Sequence, residues 1–584
     1  MSLTRTRAKV VARTSARRTA RDATTRAPVE VRATYEETFM NGVNTLDFLN
    51  SDAPMRKRRK LGSGHSTTVE DDVKTDSTAA LLFKRFPNEI HTLIAENLTN
   101  DDDFCNYILI CKQTSLALGG SSWRRRFEDN YDGIPNYSYA REAKQGFPTL
   151  SAAYRTRQCA LNSPTIFDRR SINAMNLSSK FQEPLQRQKA AQDDCLEIFK
   201  ILILQSDAQV VVKNGKMTVQ GKNLTKLINH VSNEGQDNFI DIIDSILNTD
   251  HNFHPTKIVS ADQDNTLIFV VQLALTPLSL LPNICDASVS HIDLSQGQVY
   301  ATTHAQPVFT GKWKHYINVH WLLHTVNFFK FHFKSGGEGV MAHAYKDLPA
   351  DQYPQFWTGR VKAGTQQLGQ FWKGSHTFMG DRDLRRLRRD NGMAGAIYSD
   401  EIENNDAFQD INLFFDEAKF PSHQWPDDWE RLLQSDTFLA VSGPKARSTR
   451  SSPRKKTQEP DRPQIKSFFG ISRDSKKAFI YGRIHALPQQ QKVHGFQRIV
   501  MQRFGLRNDV DIDFNQAYCY EGCVFPGGTI MAGRWWPSIE DPSRSETPTG
   551  PFLWWNVNAS AQGLPPDTRA IDNLLRFAEQ MSNN

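Results

Sequence analysis

The sequence predicts a multidomain α+β chain. Short helices come first, a mainly helical linker region follows, and the C-terminal part is an antiparallel β-rich domain of barrel or sandwich type. Three observations carry this reading. Apolar residues recur at helical spacing between Phe86 and Phe127 and again between Cys195 and Leu202. From about Ile292 the texture turns to aromatic stretches separated by Gly and Pro, as short strands and turns require. At 584 residues the chain exceeds one domain, and roughly three or four units are expected.

Residues 1–79 lack periodicity and read as a disordered basic tail. Residues 1–60 hold 14 Lys and Arg against 6 Asp and Glu, whereas the whole chain has 71 against 64. The remainder therefore carries 57 against 58, and the folded body has no basic bias of the kind nucleic-acid binding uses. The tail contains Arg56, Lys57, Arg58, Arg59 and Lys60, a dense block of the kind nuclear import receptors grip. The Arg-, Ser- and Ala-rich start is also what a mitochondrial presequence looks like. The basic block favours nucleus or cytoplasm.

The second unit, residues 80–130, is a set of short helices. Pro87 suits a first helical turn and Glu89 the positive end of the helix dipole. Ile90, Leu93, Ile94 and Leu98 then form an apolar stripe. Asn100–Asp103 breaks the pattern and caps a second helix through Phe104, Tyr107, Ile108 and Cys111; Trp123 and Phe127 close the unit. About fifty residues cannot bury all these side chains among themselves, so some face another surface. That surface is either a partner or the rest of this chain.

These residues resemble an F-box. Phe86 stands for the usual Leu, while Pro87, Glu89 and Ile90 match the family's opening. Ile94 and Ala95 occupy its apolar pair, Leu98 is in register, Ile110-Cys111-Lys112 resembles the later Val-Cys-Arg/Lys step, and Trp123 the closing Trp. Thr114 departs from a frequent Trp, and Ala95 from a larger residue. The resemblance covers about a tenth of the chain. It implies the substrate-recognition subunit of a Skp–cullin–F-box ubiquitin ligase, a non-catalytic adaptor. Phe86, Pro87, Glu89, Ile90, Leu93, Ile94, Leu98, Phe104, Cys111 and Trp123 would then be its adaptor-binding residues.

Residues 131–290 read as mainly helical. Helices are expected near Ala152–Leu161, through Cys195–Leu202, and over Leu224–Val231 and Phe239–Leu247. One hairpin interrupts them, where Gln209–Lys213 and Lys216–Val219 flank Asn214-Gly215. The longest apolar run, Leu267–Leu281, contains Gln272, Thr276 and Pro277 and falls short of the ~20 residues a bilayer needs, so it is a buried core element.

Residues 291–441 and 471–584 form the two halves of the β-rich domain, separated by a flexible Ser-, Pro- and Arg-rich insertion at 442–470. The halves echo each other. Trp357-x-Gly359-x-Val361 leads to Gly369-Gln370-Phe371-Trp372, and Tyr520-x-Gly522-x-Val524 leads to Gly533-Arg534-Trp535-Trp536. Two equivalent hairpins are expected, with Gly369 and Gly533 at matching positions. Further strands are expected at Lys477–Ala486, Phe496–Gln502 and Phe552–Val557. The β half resembles that of many fungal F-box proteins.

No phosphate-cradling loop, nucleophile elbow or HExxH motif occurs, and no cofactor is implied. His320 and His324 can share a helix face but sit among Trp321, Leu322 and Leu323, which makes them packed histidines rather than metal ligands. Seven Cys lack a CxxC pair, and Cys519 and Cys523 read as core residues of a strand. Arg385, Arg386, Arg388 and Arg389 surround Leu384 and Leu387; with the leucines docked inward, the guanidinium groups either form a solvated face paired with Asp381, Asp383 and Asp390, as most of them are expected to, or bind an acidic or phosphorylated substrate segment. Trp535 and Trp536, adjacent in a strand, point to opposite faces, so one is exposed or covered by another element. An exposed Trp beside these arginines would complete a binding rim. Arg462–Phe469 resembles, without its leading Gln, a motif that docks on the DNA sliding clamp, but Ile465 and Phe468 read more simply as the start of the next strand. A ligand-binding or enzymatic barrel, or a nuclear interaction protein, are the rival readings.

Overall fold

The computed structural model describes residues 84–118, 120–133, 150–162, 179–213, 216–232, 267–282, 289, 291–311, 314–389, 397–402, 407–415, 464–473, 477–507, 511–538 and 540–557. All lie in one of two compact units, Ser77–Asn584. The basic block Arg56–Lys60, the expected helix Phe239–Leu247 and most of the insertion at 442–470 fall outside the described residues.

Four short helices come first: α1 (Asn88–Asn97), α2 (Asp101–Leu109), α3 (Lys112–Ala117) and α4 (Gly120–Asn130). Pro87 precedes α1 and Glu89 lies in its first turn, as the dipole favours. Two longer helices, α5 (Leu150–Asn162) and α6 (Ser179–Leu204), follow. The Asn-Gly hairpin forms as expected, β1 (Gln209–Lys213) against β2 (Lys216–Gln220), and leads into α7 (Lys222–Ser232). Asp132 ties this region together by accepting the N–H groups of Lys222 at 2.6 Å and Asn223 at 3.1 Å, two of the orphan donors at the start of α7.

The apolar run forms α8 (Leu267–Ala274) and α9 (Thr276–Leu280), buried throughout. Then come α10 (Ile292–Val299), a two-residue ladder of β3 (Phe309–Thr310) and β4 (Tyr316–Ile317), and α11 (Val319–Lys334). Asn318 caps α11 by accepting the Trp321 N–H at 3.1 Å. Nearly every side chain of α11 is buried, because α8, α9, α10 and the short α12 (Ala342–Lys346) pack around it on one side and the barrel wall on the other.

The remaining strands are β5 (Phe371–Phe378), β6 (Glu401–Ile402), β7 (Gln409–Phe414), β8 (Ile465–Arg473), β9 (Lys477–Ala486), β10 (Gln497–Arg507), β11 (Asp511–Val524), β12 (Ile530–Pro537) and β13 (Gly550–Asn556). Helix α13 (Asp381–Arg389) lies between β5 and β6. Eight of these strands pair antiparallel in the order β5-β7-β8-β9-β10-β11-β12-β13, and β13 returns to β5 with Phe552 opposite His376 and Trp554 opposite Gly374. The sheet is a closed barrel, not a sandwich. Closure removes both sheet edges, and an eight-stranded barrel is about wide enough for side chains to fill. Trp372, Phe468, Tyr520, Trp535, Phe552 and Trp554 fill it together with Ile411, Ile480 and Ile499. Glycines make room for the rings. A Cβ at Gly482 would run into the Phe468 ring, and one at Gly533 would stand 2.6 Å from Phe552.

Three expectations need correction. The span 291–441 opens with helices rather than strands, and the barrel begins only at Phe371. Aromatic density there marks a helix buried on every side, α11, which leaves no amphipathic stripe to read. The echoed hairpins are not counterparts. Tyr520–Trp536 forms the β11–β12 pair, but 357–370 runs without a partner strand, apart from one bridge at Gly359. Its backbone is bonded piecemeal instead: the Gly359 N–H to the Ala208 carbonyl at 2.7 Å, and the Gln366 N–H to the Gln497 side chain at 2.7 Å. Gly369 therefore packs against Asn556 outside the ladder, while Gly533 sits inside it opposite Gly522. Finally, the insertion expected at 442–470 ends earlier, because β8 begins at Ile465; the second reading of the Arg462–Phe469 segment, the start of a strand, is the one that holds from Ile465 on, with Phe468 inside the barrel and Phe469 stacked on Phe414 at 5.1 Å.

Candidate functional site

Helices α1 to α4 divide their apolar side chains into two sets. The inward set is Ala95, Phe104, Tyr107, Ile108, Leu118, Trp123 and Phe127, all buried. Phe104 meets Trp123 edge-on at 4.9 Å, and Trp123 and Phe127 pack on Tyr154 of α5, so the unit is completed from outside its own four helices. His91 is buried with them, its Nδ1 2.8 Å from the Tyr107 hydroxyl.

Polar contacts fix the corners. Arg126 on α4 donates to the carboxylate of Asp101 at 2.5 Å and to the Leu98 carbonyl at 2.8 Å, and its guanidinium lies 4.3 Å from the Phe104 ring centre. The Tyr154 hydroxyl donates to the same carboxylate at 2.8 Å. Thr114 is buried; its hydroxyl accepts the Cys111 N–H at 3.1 Å and closes the first turn of α3.

The outward set is Phe86, Ile90, Leu93, Leu109, Ile110 and Leu116. These are six of the ten large apolar side chains that are exposed among the described residues, so the exposed apolar surface of those residues is concentrated in this segment. Leu93 is 56% exposed and Leu116 66%, too open for any role in the core.

The sequence-selected residues fall into three groups. Phe86, Pro87, Glu89, Ile90 and Leu93 are exposed, and Ile94, Leu98 and Cys111 are half-buried. Phe104 and Trp123 are buried in the unit, which corrects their assignment as docking residues: they hold the helices that present the others. Leu109 and Leu116 were missed. Their one signal is that Leu109 lies off the Phe104–Tyr107–Ile108 stripe of α2 and that Leu116 is the one large apolar residue of α3.

The second sequence-selected site is α13. Leu384 and Leu387 are buried, and Arg385, Arg386 and Arg389 are exposed. Arg388 is a structural clamp. It donates to the carbonyls of Tyr300 at 2.9 Å, Ser545 at 2.8 Å and Thr547 at 2.7 Å, and to the Thr549 hydroxyl at 2.7 Å, so its donors are spent on this chain. The tryptophan half of the site is overturned. Trp535 and Trp536 are both buried, as are Trp554 and Trp555. Trp535 and Trp554 point into the barrel, Trp555 packs in the core outside it, and Trp536 is 5% exposed, so strand alternation exposes none of them.

Outside the barrel wall, Glu521 holds Arg498, with Nε at 3.1 Å, and Lys314 at 3.2 Å. Burial raises the Glu521 carboxyl, but Lys314 and Arg498 outweigh it and hold the group at about 2. Next to this pair on β12, Arg534 is wholly buried, its guanidinium 4.8 Å from the Trp321 ring centre and none of its nitrogens hydrogen-bonded. Cys519 is buried in β11, where burial pushes its thiol up to about 12, and His324 lies 3.1 Å from the Ser295 hydroxyl. Among the described residues no group of three metal-ligating side chains occurs, and no helix is long and apolar enough to cross a membrane.

The chain matches no protein-family model, no curated protein and no solved structure.

Proposed function

We propose that this chain is the substrate-recognition subunit of a Skp–cullin–F-box ubiquitin ligase. In this reading α1 to α3 dock a Skp-type adaptor, and through it a cullin, while the helical layer and barrel hold a protein substrate. The adaptor does no bond chemistry itself; it raises the local concentration of substrate lysines beside a charged ubiquitin-conjugating enzyme. The observation that carries the reading is the outward apolar set Phe86, Ile90, Leu93, Leu109, Ile110 and Leu116, in the segment whose residue order resembles an F-box. Burying such side chains on a partner gains roughly 25 cal/mol per Å² of apolar area. The packed barrel interior supports a scaffold role over a ligand container. The exposed arginines Arg385, Arg386 and Arg389 are the proposed contact for an acidic or phosphorylated substrate segment. The basic block Arg56–Lys60 belongs to the same reading as a nuclear address.

Co-purification from cells tests it. The double variant Leu93→Asp, Leu116→Asp changes only exposed positions, so it is expected to keep the fold and to lose the Skp-type adaptor and the cullin. Full retention of both by the folded variant, or their absence with the unmodified chain, refutes the proposal.

A further inference from the structure

The segment that enters β13, residues 540–549, lies against α13. Arg388 donates to the carbonyls of Ser545 at 2.8 Å and Thr547 at 2.7 Å and to the Thr549 hydroxyl at 2.7 Å, so the backbone on both sides of Glu546 is pinned to the helix. The segment also ties itself. The Thr547 hydroxyl donates to the Asp541 carbonyl at 2.7 Å, and the Ser543 N–H and hydroxyl both donate to the Asp541 carboxylate, at 2.9 and 2.7 Å. Between these anchors residues 543–546 are exposed. Ser545 combines the two conditions: its side chain is open to solvent, while its own carbonyl is fixed by Arg388. Its hydroxyl donates to Glu546 Oε1 at 2.7 Å, a bond between neighbours at the surface.

The helix beside it is positive. Arg385 precedes Arg388 by three residues, which makes the two neighbours on the surface of α13. Arg385 is exposed and forms no hydrogen bond or ion pair with any described residue. Hydrogen bonds from Ser545 and from its own backbone N–H hold the Glu546 carboxyl below its usual range, and behind them the charges of Arg385 and then Arg544 act on the same group. One carboxylate therefore faces two guanidinium groups, and the serine bonded to it stands where further negative charge is stabilised.

We propose that Ser545 is a phosphorylation site whose phosphate is captured by Arg385, locking the segment 541–549 onto α13. A protein kinase supplies the step. The Ser545 Oγ attacks the γ-phosphorus of ATP, the bond to the β–γ bridging oxygen breaks, ADP leaves with that oxygen, and the hydroxyl proton passes to the base of the kinase. The product carries about two negative charges and three acceptor oxygens, which the planar fork of an arginine matches. The hydroxyl proton is gone, so the bond to Glu546 is lost, and the more highly charged phosphate replaces that carboxylate at Arg385. The capture does not depend on the ubiquitin-ligase reading; where that reading holds, the phosphorylated segment occupies one of the arginines offered to the substrate.

Mass spectrometry of the chain isolated from its own cells is expected to find phosphate on Ser545, and its absence there overturns the assignment. Capture is read with phosphoserine placed at position 545 of the full chain by genetic code expansion. Pairing with a guanidinium lowers the second ionisation of the phosphate from its ordinary value of about 6. In phosphorus NMR it should titrate at least about half a unit lower than in the same chain carrying Arg385→Ala, a change at an exposed position. Hydrogen exchange of the amides in 541–549 is expected to slow by about threefold or more on phosphorylation, and Arg385→Ala to remove that protection. A titration unmoved by Arg385→Ala, or exchange that is equal with and without the phosphate, overturns the capture. The same dependence on Arg385 with phosphoserine at position 543 would overturn the choice of Ser545. None of these readouts involves an adaptor or a substrate, so their failure leaves the ligase reading standing.

Discussion

His324 and His485 are both buried, and both are held neutral. Burial drives His324 down to about 3, with His320 beside it adding to the effect. Burial, then Arg498, does the same to His485, also to about 3. An unfolded histidine titrates near 6.5. Between those limits the unfolded chain takes a proton that the folded chain refuses. Stability from these groups is therefore complete above about pH 6.5 and falls as the pH drops toward 3. Lowering the pH from 7 to 5 is expected to cost about 2 kcal/mol for each histidine, roughly 4 for the pair. His230 and His315, also pushed down by burial, act in the same direction. Unperturbed carboxylates titrate near 4 and leave this window to the histidines. Urea denaturation at pH 7 and pH 5, followed by tryptophan emission, reads the change. In His324→Gln the difference between the two pH values should shrink by about 2 kcal/mol, whatever the variant does to stability at pH 7. Equal stability at both pH values, or an undiminished difference in His324→Gln, refutes the reasoning.

Two further outcomes follow from single arginines. Arg534→Met keeps the stacked volume against Trp321 and removes a buried charge that has no hydrogen bond, so it should raise the denaturation midpoint, by about 1–4 kcal/mol of stability. Arg388→Ala strips four hydrogen bonds from Tyr300 and the 545–549 loop; it should cost about 2–4 kcal/mol and expose that loop to protease, whereas Arg386→Ala, at an exposed position, should stay within about 0.5 kcal/mol.

Wherever one face of an element is buried and the other wet, the sequence alone was enough. The α6 stripe and the inward leucines of α13 are of this kind and fold as their spacing requires, whereas α1 is a helix whose apolar stripe is in part its exposed face, with Ile90 and Leu93 outward and His91 and Ala95 buried. The hairpin at Asn214-Gly215 and the span of β9 were legible for a related reason, since turn chemistry and strand alternation are local. The candidate site was half legible. Residue order located the exposed Phe86, Ile90 and Leu93, but the same order also nominated Phe104 and Trp123, and nothing in it separates a side chain that faces outward from one that faces α5.

Tertiary structure decided the rest. Helix α11 has no stripe because protein surrounds it, so its Phe and Trp density resembled strands. The barrel's closing pair joins Phe552 to His376 across 176 residues, a contact that no local pattern announces. Two surfaces outside the local pattern set the fate of the tryptophans: the barrel interior takes Trp535 and Trp554, and the layer against α11 covers Trp555. Alternation along a strand tells which side chains share a face. Whether that face meets water depends on what the chain, hundreds of residues away, lays over it.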